Sequence, residues 1–184
     1  MELHIIRHTP VNLDKGVCYG QSDVDLNKSD LEKYLSKYKQ QLSFDFDLVI
    51  SSPLQRCTEL VDALGYDNYQ IDNRLMEMNF GDWELKKWND IPLDESDYWM
   101  KNYDSVSTPR GESMKQLFDR INLFYQELKQ KPFHKVLIIT HAGPIRCFWK
   151  IILDISLKNT MKIPIDYGEI FIIDTTIDII KRKK

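Results

Sequence analysis

The chain has 184 residues, of which 42% are hydrophobic and 29% are charged, and its formal net charge is −3. This length fits one domain, and the ordinary composition excludes disordered, collagen-like and coiled-coil proteins. The acidic balance argues against a nucleic-acid partner, because nucleic-acid-binding domains are usually basic.

The cysteines and the apolar runs bear on the compartment. Cys18, Cys57 and Cys147 are odd in number and form no CxxC pair, which argues against a disulfide framework, a zinc knuckle or a redox motif. The first residues lack the pattern of a signal peptide, and no apolar run approaches the ~18 residues of a membrane span. We therefore expect a cytoplasmic, reduced protein without a membrane partner, and a solvated end for the cationic residues 181–184.

The first elements alternate between strand and helix. Leu3–Ile6 is a short apolar run, which predicts a buried strand. Residues 7–28 are rich in Pro, Gly, Asn and Asp and predict a long loop, which is often functional. Apolar residues then recur at three- and four-residue spacing and predict an amphipathic helix: Leu31, Tyr34, Leu35, Tyr38 and Leu42.

A second strand, Leu48–Ile50, leads into a second helix. Ser52 and Pro53 are typical of an N-cap and a first helical position, and Gly65 is typical of a C-cap. The predicted buried stripe of this helix is Leu54, Cys57, Leu60, Val61 and Leu64. Tyr69–Ile71 is a candidate third strand.

The middle of the chain, residues 74–110, has no clean period but contains three of the four tryptophans, Trp83, Trp88 and Trp99. We expect short helical pieces over a cleft there. A strong helix follows and is ended by Pro132, and its buried stripe is Met114, Leu117, Phe118, Ile121, Phe124 and Leu128.

The last third predicts one more strand–helix pair and a closing hairpin. Val136–Thr140 is a β-branched strand, and Gly143 and Pro144 open a helix. Glu169–Asp174 and Thr176–Ile180 are the closing strands. The alternation predicts an α/β fold, a three-layer α/β/α sandwich whose mostly parallel sheet has an antiparallel edge strand.

Cationic side chains follow three of the predicted strands. Arg7 and His8 follow the first, Arg56 lies in the helix after the second, and His141 follows the strand that ends at Thr140. Ligands of such sheets bind outside the carboxyl ends of the strands, so these groups are expected around one point. Arginine side chains, which donate paired hydrogen bonds to phosphate oxygens, and the N-terminus of a helix are typical of a phosphate site.

Histidine can attack phosphorus and form a covalent intermediate, and Glu77 is a candidate acid for the leaving oxygen. Taken singly, His8 and His141 could be structural hydrogen-bonding groups, Arg56 a solvated helix arginine and Glu77 a surface acid. The joint pattern favours the phosphate site.

Four segments carry a family resemblance: Arg7-His8-Thr9, Ser52–Arg56, Glu77 with Phe80–Glu84, and Thr140–Gly143. In this order they resemble the histidine phosphatase superfamily, which has the phosphoglycerate-mutase-like fold. Within it, Leu75–Glu84 and Pro109–Ser113 are similar to the alpha-ribazole phosphatases, which remove the 5′-phosphate of alpha-ribazole phosphate or of a cobalamin phosphate precursor.

The resemblance implies a role for each matching residue. His8 would become phosphohistidine, Arg7 and Arg56 would clamp the phosphate oxygens, and His141 would add charge. Glu77 would protonate the leaving alcohol and then activate water. Ala142, at the start of the helix, would also bind phosphate. Neither a metal nor another cofactor is implied, the partner is a small phosphorylated substrate, and residues 1–184 would form a single domain with a short cap at about 83–110.

The chain also departs from the family pattern. Thr9 and Pro10 replace the usual glycine and acid, and Asn12 is offset from the usual asparagine. Gln21 and Ser22 are candidates to supply substrate contacts instead, although Tyr19–Asp25 could equally be an ordinary loop.

Trp88, in the aromatic cap, is expected to stack on a substrate base, although a tryptophan there could equally pack on the cap itself. Cys57 and Cys147 are expected to be buried and inert, and Cys18 more exposed.

Two alternatives stay open at this point. One is a sugar-phosphate phosphatase or a phosphoglycerate mutase of the same fold; the few basic residues of the 83–110 segment favour a single phosphate and an apolar leaving group instead. The other is a catalytically inactive phosphate- or protein-binding module. All five catalytic positions are filled in this chain, which argues against that alternative. Oligomeric state is not encoded in any readable pattern.

Overall fold

The computed structural model describes residues 1–43, 45–177 and 179–184. Its six strands form one sheet in the order β3-β2-β4-β1-β5-β6. The strands are β1 Glu2–Arg7, β2 Leu48–Ser51, β3 Gln70–Ile71, β4 Lys135–Thr140, β5 Ile170–Asp174 and β6 Ile179–Lys183. The pairs β1–β4, β2–β4 and β2–β3 are parallel, whereas β5 is antiparallel to both β1 and β6.

The helices are α1 Lys28–Gln41, α2 Gln55–Leu64, α3 Leu93–Asn102, α4 Met114–Lys129, α5 Ala142–Leu153 and α6 Leu157–Thr160. Alternate residues of each strand point to opposite faces of the sheet. In β4, Val136 and Ile138 pack with α4 and α5, whereas Leu137 and Ile139 pack with α1 and α2. The predicted α/β fold with helices on both faces of a mostly parallel sheet is therefore confirmed.

Most predicted elements occur where the sequence placed them. Gly65 ends α2 with φ 88°, the left-handed conformation that favours glycine. Residues 73–90 form three short 3-10 turns, as expected, but α3 is a ten-residue helix that the lack of a clean period hid. The predicted strand Thr176–Ile180 is wrong at both ends, because residues 175–177 form a turn and β6 continues to Lys183. Most of the cationic residues 181–184, which the sequence predicts at a solvated end, therefore lie in the sheet. Residue 178 lies outside the described residues.

The predicted start of α2 is wrong. The helix begins at Gln55 after Leu54, whose backbone is extended and whose side chain makes no capping bond. The hydroxyl of Ser52 accepts from the backbone N–H of Leu54 over 3.4 Å, but its closer contact, 2.8 Å, is with Nε2 of His141 at the sheet edge.

Candidate active site

The carboxyl ends of β2, β4 and β1 lie side by side and bring the predicted cationic groups together. Arg7 is the last residue of β1 and is paired in register with Thr140, the last residue of β4. The rings of His8 and His141, which follow these two residues, have centroids 5.1 Å apart. The structure therefore places the two histidines next to each other.

The ring of His8 is fixed by its own backbone. Nδ1 lies 2.7 Å from the carbonyl oxygen of Thr9, which can only accept, so Nδ1 carries the proton of the neutral ring. Nε2 is then the nitrogen with a free lone pair. Burial lowers the pKa of His8 well below its ordinary value, and the charges of Arg56 and Arg7 lower it further. A neutral imidazole in this tautomer is the form that can act as a nucleophile.

His141 has the opposite tautomer. Nε of Arg56 donates to Nδ1 of His141 over 3.2 Å, so Nε2 carries the proton and donates to the hydroxyl of Ser52. Burial is the largest cause that holds the pKa of His141 well below its ordinary value, followed by the charge of Arg56. Without a bound anion, the positive charge of the site therefore comes from the arginines rather than from this histidine.

Arg56 is fully buried on the first turn of α2. Besides His141, its guanidinium donates to the carbonyl oxygen of Ser22 over 2.9 Å and to that of Gly20. A Cβ on Gly20 would lie 2.0 Å from the carbonyl oxygen of Met78, so only glycine lets the two segments approach this closely. These contacts fix the guanidinium at the carboxyl edge of the sheet while leaving N–H groups free for an anion.

Arg7 is held by a tyrosine that the sequence did not single out. Its Nη1 donates to the carbonyl oxygen of Ile165 over 2.8 Å, and its Nη2 donates to the hydroxyl of Tyr167 over 3.0 Å. The guanidinium carbon also lies 3.9 Å from the centroid of the Tyr167 ring. Tyr167 follows no motif, because the loop before β5 returns to the site only in three dimensions. Nε of Arg7 is buried without a partner among the described residues.

Glu77 lies at the N-terminus of α5, across from the histidines. Its carboxylate accepts from the backbone N–H of Met78 over 2.9 Å and from that of Gly143 over 3.1 Å. A free N–H at a helix start favours a carboxylate. Ala142, the first residue of α5, is buried beside His141. A role for its N–H in binding phosphate stays a prediction.

The backbone that carries Glu77 is clamped from behind by an ion pair that the sequence did not reveal. Arg120, on α4, donates to the carbonyl oxygen of Glu77 over 2.8 Å and to that of Met76 over 2.7 Å. Nε of Arg120 also donates to Glu112 over 2.9 Å. Glu112 accepts in turn from the N–H of Asn79 over 2.9 Å. The ion pair therefore supports the chain on both sides of Glu77.

Gln21 and Ser22 do not stand free at the site. Their backbone N–H groups and the Ser22 hydroxyl donate to the Glu84 carboxylate, and the Gln21 side chain donates to the carbonyl oxygen of Glu77. Burial alone would raise the pKa of Glu84, but these bonds and one from Phe80 outweigh it and lower that pKa. These contacts support the same loop to which Arg56 donates its hydrogen bonds. A direct substrate contact by Gln21 or Ser22 stays a prediction.

A cavity of about 200 Å³ opens beside these groups and is lined by Arg7, His8, Val17, Cys18, Tyr19, Glu77, Phe80 and Trp88. Trp88 thus lies where a substrate could reach it, and its ring also stacks on Trp99 at 6.1 Å with an interplanar angle of 30°. Trp83 and Trp99 are buried in the hydrophobic core.

The expectation that Cys18 is more exposed is wrong: it is buried, because the loop around it pairs with residues 85–86. Burial raises the pKa of its thiol to about 12. Cys57 and Cys147 are buried as expected.

Asn12 faces another region, with Asp25 and Asn27. Within the described ranges, no group of three or more His, Cys, Asp and Glu side chains is placed to hold a metal ion. Over the same ranges, no helix is both long and apolar enough to cross a membrane.

The family model of the histidine phosphatase superfamily (branch 1) matches residues 3–179. The chain therefore belongs to the histidine phosphatase superfamily, a class of phosphatases and mutases. This agrees with the resemblance seen in the sequence and with the site built from the two histidines, the two arginines and Glu77.

Two curated relatives differ in the substrates for which they are named. The adenosylcobalamin/alpha-ribazole phosphatase of Escherichia coli K12 is 24% identical over 177 residues, which are 91% of this chain and 87% of that protein. A protein of Hydrogenobacter thermophilus, named for phosphoserine phosphatase activity, is 27% identical over 172 residues, 89% of this chain and 84% of its own length.

Among solved structures, the alpha-ribazole phosphatase of Shigella flexneri matches all of this chain and 95% of its own chain, with a TM-score of 0.88 and 22% identity. At this identity the likeness establishes the fold alone. The chain thus shares a fold and a family with enzymes that act on small phosphorylated substrates.

Proposed function

We propose that this protein is a phosphomonoesterase that works through a phosphohistidine on His8. The observation that carries the proposal is the Nδ1 bond of His8 to the Thr9 carbonyl, because it leaves Nε2 unprotonated in a ring that feels the charges of Arg7 and Arg56 and shares a cavity with Glu77. In the first step Nε2 bonds to phosphorus, the bond from phosphorus to the alcohol oxygen breaks, and Glu77 protonates that oxygen.

In the second step, water attacks the phosphohistidine. Glu77 accepts a proton from the water, the bond between Nε2 and phosphorus breaks, and inorganic phosphate leaves. The guanidinium groups of Arg7 and Arg56 stabilise the charge on the transferred group in both steps, which is usually the largest contribution to catalysis. None of these steps calls for a metal or a cofactor.

The finer proposal is that the substrate is alpha-ribazole phosphate or a cobalamin phosphate precursor. Trp88 and Phe80 line the cavity beside His8 and offer flat faces for a benzimidazole base. The similarity to the Escherichia coli enzyme named for adenosylcobalamin and alpha-ribazole phosphate also supports this choice. A sugar-phosphate phosphatase or a phosphoglycerate mutase is the alternative within the family.

The chemistry is tested with His8→Gln, which keeps a polar side chain but lacks the nucleophile. The wild-type enzyme, quenched with base during turnover, should contain a phosphorylated histidine that acid hydrolyses, and the variant should contain none and lose at least about 10³-fold in kcat. Undiminished turnover by His8→Gln would refute the nucleophile. Circular dichroism and thermal unfolding show whether the variant is folded.

The substrate is tested separately with a panel of alpha-ribazole phosphate, sugar phosphates and p-nitrophenyl phosphate. A kcat/KM for alpha-ribazole phosphate at least tenfold above the others is the expected result. Equal kcat/KM values across the panel would refute alpha-ribazole phosphate as the preferred substrate but would leave the phosphatase activity supported. Phosphate transfer to a second hydroxyl group in place of water would identify a mutase.

A further inference from the structure

A second cavity, of about 110 Å³, adjoins the candidate active site and shares Glu77 and Phe80 with it. Most of its other walls are apolar and come from α3, α4 and the segment after α6, including Trp99, Leu117 and Met161. Glu77 therefore lies between the cavity that contains His8 and this second one.

Arg146 is the one cation that lines the second cavity among the described residues. It lies on α5, one turn after Gly143, whose N–H holds Glu77. Nε of Arg146 is buried without an acceptor, and within the described part of the chain its guanidinium makes no hydrogen bond or ion pair. Burial lowers the pKa of Arg146, and the negative charge of Glu77 opposes that shift.

The other arginines behave differently. Each of them donates to at least one acceptor of the protein: Arg7, Arg56, Arg74, Arg110, Arg120 and Arg182. A partly buried guanidinium without acceptors is costly, because a desolvated charge needs hydrogen-bond partners. Oxygen atoms of a ligand would supply the partners that the apolar walls around Arg146 do not.

The position of Glu77 says which part of a ligand these oxygens belong to. The transferred phosphate lies on the His8 side of Glu77, and the oxygen that Glu77 protonates is the first atom of the leaving alcohol. The alcohol therefore extends past Glu77, towards the side where Arg146 lies. A planar guanidinium bonds best to two oxygens side by side, which a carboxylate or a vicinal diol presents.

We propose that Arg146 binds a pair of oxygen atoms on the leaving alcohol, and so selects phosphate monoesters of diols or hydroxy acids over plain alkyl phosphates. This inference rests on the proposed function, because it takes the leaving group to lie beside Glu77. In alpha-ribazole phosphate the ribose diol would be the matching group. In a phosphorylated hydroxy acid it would be the carboxylate.

The test compares substrates that all release a primary alcohol and so all need Glu77: n-propyl phosphate, ribose 5-phosphate, 2-deoxyribose 5-phosphate and O-phosphoserine. Arg146→Met keeps the length of the side chain and removes its donors. Relative to n-propyl phosphate, kcat/KM of this variant should fall about 10- to 100-fold on the substrate with the matching oxygens, the effect of one or two charged hydrogen bonds. Arg146→Lys should recover part of it.

The panel also separates the two sources of oxygen. If Arg146→Met lowers kcat/KM for ribose 5-phosphate but not for 2-deoxyribose 5-phosphate, Arg146 binds a diol. If it lowers kcat/KM for O-phosphoserine alone, Arg146 binds a carboxylate. Arg110→Met, which removes the same charge from an exposed position outside both cavities, should leave the ratios as they are. An equal loss of Arg146→Met on every substrate, or no loss, would overturn the proposal.

Binding to the His8→Gln protein keeps this result distinct from failure of the proposed function. Calorimetry with ribose 5-phosphate, O-phosphoserine and inorganic phosphate reports the subsite without turnover. Arg146→Met in this background should weaken the binding of at least one ester about tenfold more than the binding of inorganic phosphate. Equal weakening of all three ligands would refute the subsite even if the wild-type enzyme hydrolysed every ester.

Discussion

His8 and His141 lie side by side but are held in opposite tautomers, and their partners explain the difference. A carbonyl oxygen can only accept, and it puts the proton of His8 on Nδ1. A guanidinium can only donate, and it puts the proton of His141 on Nε2. The two rings therefore present different groups to the site: His8 a lone pair, and His141 an N–H that Ser52 accepts.

Gly143 fixes the position of Glu77 through its lack of a side chain. A Cβ there would lie 2.1 Å from Oε1 of Glu77 and 2.9 Å from the side chain of Leu117. We expect Gly143→Ala to displace the carboxylate and to lower kcat on alkyl phosphates by at least tenfold, within the range of a lost general acid. p-Nitrophenyl phosphate, whose leaving group needs little protonation, should be less affected.

Steady-state kinetics of the wild-type and Gly143→Ala enzymes on the two substrates measure this difference. Thermal unfolding monitors the fold, since the new methyl group also crowds α4. Equal losses on both substrates would contradict a specific effect on Glu77.

Tyr167 holds Arg7 by both its hydroxyl and its ring. We expect Tyr167→Ala to free the guanidinium and to lower kcat/KM about tenfold, with weaker binding of inorganic phosphate, because a bond to a charged group contributes about 1.5–3 kcal/mol. Tyr167→Phe should keep most of the activity through the stacked ring. Tyr34→Ala, next to the same ring, is the matched control. Full activity in Tyr167→Ala would contradict the role.

At the scale of elements, the sequence predicted which side chains meet but not what holds them. The ends of β1 and β4 share one edge of a parallel sheet, so Arg7, His8 and His141 could be placed together from strand order alone. Tyr167 and Arg146 could not be placed in the same way. Their contacts depend on the return path of a loop and on the rotation of a helix, which apolar periodicity does not determine.

Two local predictions failed because tertiary contacts outweighed local preference. Ser52 has the sequence context of an N-cap, but α2 begins only at Gln55, and the closest contact of the Ser52 hydroxyl is with His141. Cys18 lies in a polar loop, yet the loop pairs with Lys86 and Leu85 and buries the thiol. In both cases the deciding partner is distant in sequence, so no local pattern could reveal it.

The element α4 holds the backbone that carries Glu77, because Arg120 donates to the carbonyl oxygens of Met76 and Glu77. We expect Arg120→Met to lower kcat on alkyl phosphates about tenfold or more while KM changes little, because the acid is misplaced but the phosphate groups are intact. The dependence of kcat on the pKa of the leaving alcohol should become steeper.

The control for α4 is Lys115→Met, which removes an exposed ion pair from the same helix. Such a pair contributes little, so this variant should have the wild-type dependence on the leaving group. If Arg120→Met lowers the stability but leaves the dependence of kcat on the pKa of the leaving alcohol unchanged, the hydrogen bonds of Arg120 serve the fold alone.

For the molecule as a whole, the buried histidines predict a loss of stability in weak acid. Burial lowers the pKa values of His4, His8 and His141 in the folded state, whereas the unfolded chain binds protons near pH 6.5. As the pH falls below about 6.5, the unfolded chain therefore binds more protons, and the free energy of unfolding decreases. Each unit of pKa difference corresponds to about 1.4 kcal/mol.

Urea unfolding followed at pH 8, 7, 6 and 5 measures this effect. We expect little change between pH 8 and 7 and a progressive decrease from 7 to 5, above the range in which carboxylates titrate. Saturating inorganic phosphate should reduce the decrease, because it binds the folded state. A free energy of unfolding that stays constant down to pH 5 would contradict the buried, neutral state of these rings.

The two edge strands of the sheet are β3, which is only two residues long, and β6, which carries Lys181, Arg182 and Lys183. The unpaired backbone groups of an edge strand can pair with a strand of another chain, and natural proteins reduce this risk with short or lysine-rich edge strands. This sheet has one edge strand of each kind. We therefore expect the cationic side chains of β6 to discourage the chains from aggregating edge to edge.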